Sequence, residues 1–133
     1  MTTESIRIDR LLPHPPARVW RLLVEPDLHA RWWVAGDVQP VVGHRFTLDM
    51  GGFGPQTCEV LRVEHERLFA YTFAEGVLDS VLTWRLEPHE DGTLLRFEHS
   101  GLDLATPAGR QAFEGMGRGW PAVIGRLETV AAP

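Results

Sequence analysis

The side chains able to do chemistry in this sequence are few, and each stands alone. His99 follows Phe97 at the spacing that puts both on one face of a strand, so the expected setting is an imidazole among aromatic rings. Desolvation there favours the neutral ring and leaves one nitrogen free to accept or donate. Such a histidine is either a satisfied core residue or a group that orients a ligand carbonyl or acts as a general base. Tyr71 is the only tyrosine and sits between Phe69 and Phe73 at strand spacing, its hydroxyl available to backbone, water or ligand. Cys58, the single cysteine, reads as a small buried hydrophobe rather than a reactive thiol. Arg85 completes the polar candidates.

What is absent narrows the chemistry further. All 13 basic residues are arginine, which excludes a Schiff-base lysine and the lysine of a phosphate-binding loop by inventory. The serines are Ser5, Ser80 and Ser100, and none lies in a nucleophile-elbow motif. Glu64-His65-Glu66 and His89-Glu90-Asp91 look like ligand clusters, but neighbours on a strand point to opposite faces, and the second cluster falls in a turn. With no His-Glu-x-x-His and no cysteine pair, neither a metal nor a cofactor is expected. A formal charge of −5 with scattered arginines argues against nucleic acid. No stretch has the length of a membrane span or the form of a signal peptide, and 133 residues support one domain, read as 1–133, in the cytoplasm.

The elements that must position these groups follow from periodicity. Ser5 to Leu12 alternates as a half-buried strand and stops at Pro13, Pro15 and Pro16. Pro16 opens a first short helix through Leu23, and Pro26-Asp27 opens a second through Trp32, with Asp27 placed to cap it. Period two then persists for strands at Asp37 to Pro40, His44 to Met50, Gln56 to Glu64, Leu68 to Phe73, Ser80 to Glu87 and Thr93 to Ser100. Asp91-Gly92 is the best hairpin signal among the separators. Finally, Thr106-Pro107 begins a long helix to Ala131, with Phe113, Met116, Trp120, Val123, Ile124, Leu127 and Val130 on one stripe. Five glycines and Pro121 lie in that helix, and a kink is expected between Gly117 and Pro121. The fold class is α+β: a curved antiparallel sheet of six to seven strands gripping its last helix, with two short helices after the first strand.

That order resembles the START-like superfamily, also called SRPBCC or helix-grip, which includes polyketide cyclases and lipid-transport proteins. The carrying residues are Pro15-Pro16 with Val19-Trp20, then Pro26 and Trp32. They continue with Gly92-Thr93 and Leu95 leading to His99-Ser100-Gly101, and end with Gly119-Trp120-Pro121, Ile124 and Leu127. Within it the chain is most similar to the branch named after the activator of a heat-shock chaperone ATPase. The resemblance implies a cavity between sheet and long helix, in a family of ligand carriers, cyclases, hydrolase-like members and chaperone cofactors. Fold alone does not choose among them.

The expected lining is Trp33, Phe46, Met50, Tyr71, Phe73, Phe97, Met116 and Trp120, with His99 and Cys58 as its polar members; the same residues would serve a solid core. His99 and Tyr71 are the weak catalytic candidates. Three functions stand open. One is non-enzymatic binding of a small apolar or aromatic molecule, and another is a cyclase- or hydrolase-like reaction in the same cavity. The third is an interaction module, dimeric or serving a chaperone.

Overall fold

The structure is a computed structural model and describes residues 3–132. The first strand, β1 (Thr3–Leu12), alternates as its sequence demands: Ile6 and Leu12 are buried, while Arg7, Asp9 and Leu11 are exposed. Pro16 occupies the first turn of α1 (Pro16–Val24), which buries Val19, Trp20, Leu22 and Leu23. Glu25 ends α1 and is also the N-cap of α2 (Pro26–Trp32). Asp27 is therefore not the cap: with Pro26 as the first helical residue, Asp27 falls inside the first turn, where its charge complements the helix dipole.

Strands β2 (Arg45–Asp49), β3 (Pro55–Glu64), β4 (Leu68–Phe73), β5 (Ser80–His89) and β6 (Gly92–Asp103) form an antiparallel meander. β1 pairs with β6, so the order is β1-β6-β5-β4-β3-β2. The strand expected at Asp37 to Pro40 is absent; a single bridge joins Gly36 to Leu48. The reason is local. The Asp37 carbonyl meets the His44 ring at 2.6 Å instead of a ladder, Pro40 has no N–H to offer, and Gly43, at φ 88°, turns the chain into β2. The β5–β6 hairpin turns on Glu90-Asp91, one position before Asp91-Gly92, because Gly92 pairs with His89.

The inward side chains align in rungs across four strands. Phe69, Trp84, Phe97 and Ile8 form one rung, and Tyr71, Leu82, His99 and Ile6 the next. Cross-strand neighbours of this kind are the unit of sheet stability. Register shifts between Glu4 and Ile6 and between Val60 and Arg62 bend the sheet. Against its inner face lies α3 (Pro107–Ala131). The Thr106 hydroxyl accepts from the Gly109 amide at 3.0 Å, which caps the helix start. The helix is continuous through an exposed Pro121, so the kink expected there does not interrupt it.

Candidate functional site

The rung beyond Tyr71 and Leu82 pairs Phe73 with Ser80, a small residue where its neighbours along β5 are Leu82 and Trp84. Facing this thin end of the sheet, the first half of α3 carries Gly115 and Gly119, and a Cβ built on either meets nothing within 4 Å. The result is a cavity of about 580 Å³, within the range of small-molecule sites. Its apolar wall is Trp33, Phe73, Trp120, Met50 and Met116. The rings form one continuous surface: Trp33 lies 4.9 Å from Trp120 and 6.0 Å from Phe73, centroid to centroid. Of the polar lining residues, Gln111, Glu114 and Arg118 are exposed, and Gln56 is half-buried with its amide donating to the Phe53 carbonyl at 2.8 Å. Phe53 and Val77, in the turns before β3 and after β4, stand at the mouth largely exposed.

Behind that wall sits a buried polar chain. The indole N–H of Trp120 donates to His99 Nδ1 at 3.2 Å. His99 Nε2 lies 2.8 Å from Ser80 Oγ, and that hydroxyl donates to the Phe73 carbonyl at 3.2 Å. His99 is fully buried, and burial holds its pKa at about 4, below the ordinary 6.5. Both ring nitrogens are occupied, and the imidazole does not line the cavity.

The remaining expected residues divide in the same way. Of the ten named from sequence, Trp33, Met50, Phe73, Met116 and Trp120 are brought together around the cavity. Phe46, Cys58, Tyr71, Phe97 and His99 are buried in the core beside it. The Tyr71 hydroxyl accepts from the Trp84 indole at 3.2 Å, and full burial raises its pKa. Burial pushes the Cys58 thiol up to about 12, so it carries no thiolate near neutrality. Arg85 is exposed on the outer face of β5, one position out of phase with Trp84, and takes no part.

Sequence reasoning missed the mouth residues Phe53, Val77 and Leu78, which lie in turns where alternation says nothing. It also missed Ser80 as the partner of His99, although the pairing of β5 with β6 brings them to neighbouring rungs. A second buried histidine, His29, was likewise overlooked. Its Nδ1 donates to the Val34 carbonyl at 2.7 Å, its Nε2 has no partner, and burial holds its pKa at about 4.

A bent antiparallel sheet gripping a long last helix, with a cavity between them, defines a START-like, helix-grip protein. More narrowly, the chain belongs to the family described as activator of Hsp90 ATPase homolog 1-like protein, which it matches over residues 13–132. Among solved structures it is similar to protein MLL2253 from Mesorhizobium loti, at 36% identity and a TM-score of 0.84, covering 96% of each chain. Protein BH1534 from Bacillus halodurans is 26% identical with a TM-score of 0.84, over 99% of this chain and 100% of that one. CalU16 from Micromonospora echinospora is 25% identical with a TM-score of 0.79, over 100% and 88%. No curated protein matches the chain.

Proposed function

We propose that this protein is a binding protein that holds one small, flat, largely apolar molecule, without covalent attachment, between α3 and the thin end of the sheet. The observation that carries the reading is a cavity of about 580 Å³ walled by three aromatic rings and two methionines, a combination that presents π faces and adaptable thioethers to its occupant. Binding is favoured over turnover because, among the described residues, the lining includes no serine, threonine, cysteine, histidine or tyrosine, and its one carboxylate, Glu114, is exposed to solvent. The imidazole that could move a proton is committed on both nitrogens behind Trp120.

A fluorescence titration with anilinonaphthalene sulfonate, an aromatic probe, tests it. The wild type is expected to bind one probe saturably. Gly115→Phe fills the cavity from a position where a Cβ meets open space, and it should abolish the signal while leaving the melting temperature essentially unchanged. Equal affinity in the filled variant would reject the site.

A further inference from the structure

We infer that His99 is a positioning residue for the binding cavity: it fixes the Trp120 indole, and with Ser80 the end of β4 at Phe73, so that both rings stand as preset walls. The inference rests on the binding role proposed above for the cavity.

The proton inventory of the buried chain fixes its direction. An indole N–H can only donate, so the His99 Nδ1 that faces it at 3.2 Å must be a bare lone pair. The single proton of the neutral ring is then on Nε2, and Nε2–H donates to Ser80 Oγ at 2.8 Å. The Ser80 hydroxyl passes its own proton on to the Phe73 carbonyl at 3.2 Å. Three donors and three acceptors are matched in one direction, running from α3 through β6 and β5 to β4. Each partner fixes the next, and no group in the chain is left to face a ligand.

The two ends of this relay are both cavity walls. Trp120 is held through its side chain. Phe73 is held through its carbonyl and by the edge-on contact of its ring with the His99 ring, 5.7 Å between centroids at 89°. Because the Trp120 N–H is consumed, the occupant meets that residue through its ring rather than through a donor, which selects for a flat apolar partner. The buried pair Trp84–Tyr71 offers an internal control. It is the same kind of indole bond, also 3.2 Å long, but neither residue lines the cavity.

The test compares His99→Phe, His99→Gln, Ser80→Ala and Tyr71→Phe in the whole protein. Two readouts are taken: affinity for anilinonaphthalene sulfonate, and hydrogen exchange of the Trp120 indole N–H by NMR. His99→Phe, which keeps a ring but loses the acceptor, should weaken the probe by about tenfold and speed exchange by at least as much. His99→Gln, which can accept from Trp120 and donate to Ser80, should recover most of both, with Ser80→Ala intermediate. Tyr71→Phe should lower the melting temperature as His99→Phe does, with probe affinity unchanged. If His99→Phe costs stability but keeps wild-type affinity and Trp120 protection, the histidine is a core residue only and the inference fails. Should the wild type not bind the probe saturably, the proposed binding role fails separately. Trp120 exchange then decides only whether His99 fixes the indole: unchanged protection in His99→Phe overturns that as well, and lost protection upholds the fixed wall without a ligand-binding role.

Discussion

The two halves of α3 carry the same kind of apolar stripe and meet the sheet differently. From Trp120 to Ala131 the helix buries Trp120, Ile124, Leu127 and Ala131 completely or nearly so. From Pro107 to Gly119 only Gly109 is buried, and Phe113 and Met116 remain half-covered, Met116 on the cavity wall. Polar ties follow the same division. In the second half, Arg18 of α1 donates to the carbonyls of Val130 and Ala131, Arg10 of β1 pairs with Glu128 at 3.1 Å, and Arg126 donates to the Trp32 carbonyl. The first half has its Thr106 cap and a local bond from Arg110 to the Leu104 carbonyl. One half anchors and the other stands clear, and Trp120 with its histidine marks the boundary. Burial of side chains such as Ile124 and Leu127 contributes about 1.5–3 kcal/mol each, so the anchored half holds the helix in place while the other leaves room for an occupant.

The sharpest way to break this contrast is truncation on both sides of the boundary. Leu127→Ala should cost about 2–5 kcal/mol of unfolding free energy, whereas Met116→Ala, beside open space, should cost less than about 1 kcal/mol. Urea denaturation of both variants would show it, and equal losses would mean the two halves are packed alike.

The boundary itself should respond to acid. His99 and His29 are held neutral, with pKa values of about 4 against 6.5 for a free imidazole. Between those values the unfolded chain takes up protons that the fold refuses. Their contribution to stability is therefore complete above about pH 6.5 and is lost as the pH falls toward 4, by roughly 3 kcal/mol for each ring. Denaturation midpoints measured from pH 7.5 down to pH 4, in wild type and in His99→Gln, should show a shallower decline in the variant.

Two glycines in the first half of α3 meet different surroundings. A Cβ on Gly109 would run into the Asp103 carbonyl oxygen, so Gly109→Ala should destabilise by about 1–3 kcal/mol. Gly115→Ala meets nothing and removes a flexible helical glycine, so it should stabilise by about 0.5–1 kcal/mol. Arg18→Ala should cost a comparable amount, on the order of 1 kcal/mol, by releasing the last carbonyls of α3, readable as a lowered melting temperature.

Most of the architecture was legible because it is written in periods. The alternation of Ile6 and Leu12, the aromatic faces of β4 and β6, and the stripe of α3 each name an inward side, and a side is what a period encodes. Asp37 to Pro40 misled because a short run beside β2 satisfied the pattern while its carbonyl went to the His44 ring. The site was only half legible for a related reason. A stripe says which residues face inward, but whether the interior opposite is filled depends on long-range placement. Met116 and Leu127 are indistinguishable in the pattern, yet one faces a cavity and the other a packed core. His99 shows the same limit. Its setting among aromatic rings follows from spacing, whereas its bonds to Trp120 and Ser80 come from partners 21 and 19 residues away.

The most direct measurement is the NMR spectrum of isotope-labelled methionine methyl groups, recorded while anilinonaphthalene sulfonate is added to the wild type and to Gly115→Phe. Met50 and Met116 both line the cavity, one from just before the turn into β3 and the other from α3. Both methyl signals should move together and saturate with a single affinity in the wild type, and neither should move in the filled variant. Probe binding that leaves both signals in place, or that shifts them equally in the filled variant, would contradict a binding site beneath the first half of α3.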